Sequence, residues 1–410
     1  MKKEKLTTKE YLLPFILISS LFFLWGVANG MLDTLNKHFQ DILQMSKAQS
    51  GLIQFAVYIA YFSLALPAGY FIRKKGYKAG IILGLSLFAT GALLIAGTAF
   101  LESFWIVLAC LFVMGCGLAT LETAANPYTT KLGPPESAER RINFSQSFNG
   151  LAWVVGPLIG LYIYKAQSHE AGEKLSSMIL PYLIIGIVVI AVAFLFVKTP
   201  LPEIEEGSGT SLRGEEENMA GSAYQPLIKR RHFVSGVAAQ FAYVAAQTGV
   251  FSYMINFVTD PEQAPRFETE QGPLFLAFGF ALFMAGRMSG SWMMRFVAPA
   301  RMLALYSLLC CLLLPLVSAN LGWISLISLF GVFFFMSIMF PTIFALGIKD
   351  LGAATKKASS FMVMAIVGGA VFPPLMGLIA DQYGMPAGFL APIPCFAFIL
   401  WYGLKGYRLI

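Results

Sequence analysis

Charge is what this sequence lacks. Asp, Glu, Lys and Arg supply 12% of its 410 residues, against roughly 25% in an ordinary water-soluble domain. A chain so poor in charge, 57% hydrophobic and with a mean hydropathy of +0.69, is not built for water. Histidine is scarcer still. His38, His169 and His232 are scattered among loops and span ends, and no metal-ligand spacing, phosphate loop or nucleophile elbow accompanies them. No metal site, no cofactor and no enzyme is therefore expected. The five cysteines, Cys110, Cys116, Cys310, Cys311 and Cys395, all fall within apolar stretches, where a disulfide framework has no support and packing is their role.

What the chain has in quantity is long apolar runs. A helix needs roughly 20 mostly apolar residues to cross the hydrocarbon core of a bilayer. Such runs predict twelve spans, near 11–35, 48–72, 77–98, 103–131, 141–165, 178–198, 231–258, 271–296, 301–318, 322–348, 357–381 and 386–404. The first follows a lysine-rich start, yet it is too long for a secretory leader and no small-residue cleavage pattern follows it.

A net charge of +7 would suggest nucleic acid in a soluble protein. The positions of the cations argue for topology instead. They cluster at alternate span ends: Lys2, Lys3, Lys5 and Lys9, then Arg73, Lys74, Lys75 and Lys78, then Lys131, Arg140 and Arg141, and so on to Lys405 and Arg408. The intervening loops hold only Lys37, Lys47, Lys165, Lys174 and Arg266. Positive charge stays on the inner side of a membrane, so both termini are expected in the cytoplasm, with the lipid bilayer and not nucleic acid as partner.

Residues 199–229 break the apolar pattern with Pro200, Pro202, Gly207, Gly209, Gly214 and six glutamates, and read as a cytoplasmic linker between halves 1–198 and 230–410. Short repeats join the halves: Gly156–Leu161 resembles Pro373–Leu378, Leu132-Gly133 matches Leu351-Gly352, and Gly51 and Gly69 match Gly272 and Gly290, at offsets of 217, 219 and 221 residues. A six-helix unit duplicated in parallel is the mark of the major facilitator architecture. The expected fold is an all-α membrane protein with twelve transmembrane helices in two pseudo-symmetric halves.

Two acids stand out because they lie inside spans, Glu122 in span 4 and Asp33 in the outer part of span 1. An ionised side chain at the bilayer centre costs roughly 2.5–3.5 kcal/mol on insertion scales, so such residues face cavities or partners and often carry protons. Arg287 is the one base inside a span, and its expected role is a structural ion pair or snorkelling toward the inner interface. Span 5 places Asn143, Gln146 and Asn149 on one face, and span 7 does the same with Gln240, Tyr243 and Gln247. Amides donate and accept at once, as sugar hydroxyls do. An aromatic ring such as Phe251 can cover a sugar's apolar face. Interhelical hydrogen bonding is the plainer explanation of either stripe.

Longer motifs sharpen the reading. Phe22-Phe23-Leu24-Trp25-Gly26-Val27-Ala28-Asn29 followed by Asp33, Leu121-Glu122-Thr123-Ala124-Ala125-Asn126-Pro127, Gln146-Ser147-Phe148-Asn149, Gln240-Phe241-Ala242-Tyr243 and Pro341–Lys349 resemble the fucose:proton symporter family, which also transports glucose and galactose. The resemblance implies proton coupling through Glu122 and Asp33, and a sugar cavity lined by Gln146 and Asn149 and, with them, Asn29, Asn143, Tyr243, Gln247 and Phe340. It departs at Gly30, where the fucose pattern has an asparagine, and at Phe340, where it has a tyrosine; both lose a hydrogen-bonding group and bear on which sugar is preferred. The expectation is a proton-coupled monosaccharide symporter of a bacterial inner membrane, monomeric, taking L-fucose or a related hexose. The rivals are a proton-coupled exporter of amphipathic compounds and a membrane sugar sensor that does not transport.

Overall fold

The computed structural model describes residues 6–101, 103–134, 138–167, 179–202, 227–261, 267–294, 296–351 and 355–408, and all regular structure among them is helical. Lipid offers backbone N–H and C=O groups no partner, so each apolar run closes its hydrogen bonds within itself as a helix. Twelve rods result: α1 (Leu12–Leu43), α2 (Lys47–Ser50 and Leu52–Lys75), α3 (Tyr77–Thr98), α4 (Phe104–Lys131), α5 (Ala138–Gln167), α6 (Ile179–Lys198), α7 (Arg231–Ser252 and Met254–Thr259), α8 (Gly272–Met293), α9 (Pro299–Ser318), α10 (Trp323–Met336 and Met339–Gly347), α11 (Thr355–Met364 and Gly368–Tyr383) and α12 (Ile393–Trp401, wound on to Gly406). Among the described residues, ten of these are long and apolar enough to span a membrane by composition alone. The other two are α5 and α7, the rods that carry the amide stripes.

Packing repeats between the halves. In the first, α3 lies on α4 and α6, α2 on α4, and α1 on α5; in the second, α9 lies on α10 and α12, α8 on α10, and α7 on α11. The buried apolar side chains form two clusters, one running from Phe15 to Leu201 and one from Leu227 to Tyr402. The halves meet where α5 lies on α8 and α2 on α11, again a symmetric pair. Most of the segment read as a linker, residues 203–226, lies outside the described residues.

Three local features depart from expectation. First, α1 continues to Leu43 instead of ending near residue 35, because Asp33, Asn36, His38 and Gln40 are buried inside the bundle and hydropathy counts them as if they faced lipid or water. Second, α7 and α10 are each interrupted, at Tyr253 and at Ser337-Ile338. Third, Gly30 acts on helix packing. A Cβ there would stand 3.1 Å from the Trp153 carbonyl oxygen and 3.3 Å from Gly156 Cα, so the missing side chain is what lets α1 and α5 touch.

Arg141 ties off the end of the first half. It is fully buried, with Nε donating to Thr129 O (3.1 Å), Nη1 to Leu6 O (3.2 Å) and Pro134 O (2.9 Å), and Nη2 to Gly133 O (3.3 Å). Thr7 Oγ1 takes the carbonyl of Leu132 (2.7 Å). The last carbonyls of a helix have no intrahelical donor, and here one guanidinium answers that of Thr129 in α4 together with the loop carbonyls of Leu6, Gly133 and Pro134. Arg141→Met is expected to cost about 3 kcal/mol or more, since charge-assisted bonds contribute roughly 1.5–3 kcal/mol each. Thermal unfolding in detergent checks this, and an unchanged melting temperature rejects it.

Candidate transport site

Glu122 sits on α4, half-buried, on the side that faces Tyr61 of α2. The side chains of Tyr61 and Asn126 lie beside its carboxyl, and that of Asn29 lies beside the Tyr61 hydroxyl. Asn126 Oδ1 in turn accepts a long 3.5 Å contact from Gln146 Nε2. Asn149, one turn along α5, donates to the Phe22 carbonyl at 3.2 Å. Five residues from four helices, Asn29, Tyr61, Glu122, Asn126 and Gln146, thus gather into one polar tract. Tyr58, one turn before Tyr61, extends the tract to the seam, where its hydroxyl lies beside Thr248 of α7. A Cβ at Gly369 of α11 would stand 3.0 Å from its ring.

Asp33 lies on the seam itself, 4% exposed. Gln54 Nε2 of α2 (2.8 Å) and Ser252 Oγ of α7 (2.9 Å) both donate to its Oδ1, so the carboxylate bridges the two halves. The same end of the bundle is laced further. Asn36 Nδ2 donates to Ser252 O (2.9 Å), Gln40 Nε2 to Ser50 Oγ (2.7 Å), and Asn256 Nδ2 to Gln40 Oε1. The Tyr253 hydroxyl lies between the carbonyls of Lys47 (2.7 Å) and Pro373 (2.9 Å). Asp381 at the end of α11 accepts the backbone N–H groups of Lys47 and Ala48, each at 2.9 Å. Beyond this seal lies a vestibule of about 230 Å³ lined by Lys37, Gln40, Asp41, Asn256, Asp260 and Asp381 among others.

The second half contributes differently. Tyr243 is fully buried and its hydroxyl donates to Met336 O (3.0 Å), so it does not open onto the seam in this conformation. Gln247 and Phe340 are half-buried, and the Phe340 ring lies 6.3 Å from that of Tyr243. Gln240 is fully buried with neither amide atom hydrogen-bonded. Phe251, expected to cover a sugar, is 2% exposed and boxed in by Trp153, Phe280, Phe283 and Phe333 at 4.8–5.7 Å. Mutual edge-to-face packing holds the ring in the core, and Trp153 of α5 is the half-buried member that joins the halves. The side chain of Asn143 lies outside the described residues. Arg287 pairs with no acid among the described residues; its Nε donates to Ser337 O (3.2 Å) and its guanidinium lies 4.9 Å from the Phe283 ring centre.

Sequence reasoning missed Tyr58, Tyr61, Gln54 and Ser252. The signal for the tyrosines was their three-residue spacing on α2; Gln54 and Ser252 had none beyond polarity within a span. A large apolar groove of about 790 Å³, lined by Phe15, Phe23, Phe144, Phe148 and Leu151 among others, occupies the opposite face of α5 from Gln146 and Asn149. Its lining offers little to a polyhydroxylated ligand.

Twelve rods in two like halves, with polar groups gathered where the halves meet, define a polytopic membrane transporter. A family model described as Major Facilitator Superfamily matches residues 15–365. The L-fucose-proton symporter of Escherichia coli (strain K12) is 37% identical over 97% of this chain and 94% of its own length. The glucose/galactose transporter of Brucella abortus biovar 1 is 35% identical over 99% and 97%. Among solved structures, a Major Facilitator Superfamily transporter, FucP, in the outward conformation matches with a TM-score of 0.69 at 36% identity, covering 97% of this chain and 99% of that one. A D-xylose-proton symporter shares the fold, with a TM-score of 0.77 at 12% identity over 98% and 97%. The chain belongs to the fucose:proton symporter family of the Major Facilitator Superfamily, a family of transporters and not of enzymes.

Proposed function

We propose that this protein is a proton-coupled symporter that takes up L-fucose or a related hexose by alternating access. The observation that carries the reading is adjacency: the Asn126 side chain lies beside the carboxyl of Glu122 and accepts a long 3.5 Å contact from the amide of Gln146. A proton on Glu122 and a hydroxyl on Gln146 therefore both bear on the Asn126 side chain. Gln146, Asn149 and Gln247 contact sugar hydroxyls, Asn29, Asn143 and Phe340 belong to the same site, and Asp33 assists Glu122 in proton coupling from the outer side. With the termini in the cytoplasm of a bacterial cell, the laced end around Asp33 and Asp381 faces outward and is shut. The halves 1–198 and 230–410 rock about the linker to open it. The protein works as a monomer.

Proteoliposomes with an imposed inward proton gradient test this with radiolabelled L-fucose, D-galactose and D-glucose. Gradient-driven accumulation and counterflow of at least one sugar are expected. Export of an amphipathic dye without sugar counterflow points to the exporter, and sugar binding without counterflow points to the sensor.

A further inference from the structure

The interruption of α10 is held by donors from outside the helix. The segment Trp323–Met336 ends at Ser337-Ile338 before Met339–Gly347 begins, and a helix end leaves its last carbonyls without intrahelical donors. Two side chains of other helices, Tyr243 and Arg287, reach carbonyls at the break, and Ser337 of α10 itself folds back on a third that also accepts its own N–H. Ser337 Oγ donates to Phe334 O (2.7 Å), the Tyr243 hydroxyl to Met336 O (3.0 Å), and Arg287 Nε to Ser337 O (3.2 Å). The approach of α8 is tight enough to need glycine. A Cβ at Gly286 would collide with the Phe334 carbonyl oxygen and stand 2.7 Å from Ser337 Oγ, and one at Gly290 would stand 2.5 Å from Ile338 Cγ2.

Arg287 thus has a counter-charge that is not an acid. The C-terminus of a helix carries a partial negative charge of about half an electron, and the 14-residue segment Trp323–Met336 directs that end at the guanidinium. Arginine stays protonated in such a setting, and its forked donors suit carbonyl oxygens. Phe340, which stands where the fucose pattern has a tyrosine, begins its side chain two residues past the break.

We propose that Arg287 and Tyr243 are positioning residues, which grip the broken middle of α10 and so set where its second segment presents Phe340 to the sugar. The inference rests on the transport reading above. It assigns sugar preference to three residues, only one of which borders the site. The break is a joint fixed by a cation and a hydroxyl, and loosening either lets Met339–Gly347 shift as a unit.

A double-mutant cycle tests it in proteoliposomes, using whichever of L-fucose, D-galactose and D-glucose the wild type accumulates. Arg287→Gln is expected to raise KM about tenfold with Vmax little changed, equal to roughly 1.4 kcal/mol and within the range of coupled neighbours. Arg287→Lys recovers part of that loss, and Tyr243→Phe moves KM the same way by a smaller factor. In a Phe340→Ala background both effects on KM shrink toward none, because the gripped segment no longer carries its ring. Factors that multiply independently of Phe340, or a loss of uphill accumulation at unchanged KM, overturn the proposal. If Arg287→Gln does not fold, Tyr243→Phe completes the cycle alone. Should the wild type move none of the three sugars, the transport reading fails by itself. Spin-label distances between α8 and Met339–Gly347 then decide the grip: a shift in Tyr243→Phe supports it, and identical distances refute it.

Discussion

Replacing Glu122 with Gln should collapse uphill sugar accumulation while leaving counterflow largely intact. Gln keeps the shape of the protonated acid beside the same polar neighbours, Tyr61 and Asn126. What it cannot do is release a proton. A membrane potential of 100 mV is worth about 2.3 kcal/mol per charge moved, which at roughly 1.4 kcal/mol per tenfold supports a sugar gradient of about 50-fold for one proton. The variant should therefore bring the accumulation ratio down from that order toward one. Counterflow needs only the change of access with sugar bound, and it should stay within about threefold of wild type if the coupling lies in proton release. Simultaneous recordings of sugar and pH in proteoliposomes check both. Accumulation that survives Glu122→Gln unchanged would sink the coupling assignment, and loss of counterflow along with accumulation would make Glu122 a structural member of the tract.

The second large effect concerns the seal. Gly51 of α2 lies against α11 so closely that a Cβ would stand 2.6 Å from Pro374 N and 2.8 Å from Pro373 C. Both contacts are to backbone, which cannot rotate aside as a side chain can. Gly51→Leu should therefore prevent the halves from closing at the end that carries Asp33 and Asp381. If overpacking costs about 3 kcal/mol, the sealed population falls roughly 100-fold, and net transport falls with it. The protein itself should remain folded, because each half keeps its own buried cluster. Uptake at wild-type level would show that the seal is not needed. Spin labels on α2 and α11 near this end should report a longer separation in the variant, together with retained sugar binding.

These outcomes bear on how much was legible beforehand. Twelve spans, the duplicated half and the presence of Glu122 inside a span follow from single-residue properties. Lipid solvates apolar side chains and rejects charge, so hydropathy along the chain marks helices almost irrespective of their neighbours. The amide stripes on α5 and α7 were visible for the same reason, as polar groups where lipid alone would exclude them. Partner choice was a different matter. Ser252 and Asp33 are 219 residues apart and bond only because α7 lies beside α1 at one rotation about its axis. Tyr243 looked like a cavity residue by spacing, yet its hydroxyl is taken by a carbonyl that exists as an acceptor only because α10 is interrupted.

The sequence by itself determined that the protein lives in a membrane, that it is two copies of one six-helix idea, and that acids lie within its spans, since each depends on residue type and order. Only the tertiary structure decided that Gly30 serves helix contact, that Arg287 answers a helix end instead of an acid, and that Asp33 is a bolt across the seam. Those depend on the rotation and depth at which one helix meets another, which are set by side chains hundreds of positions away acting together.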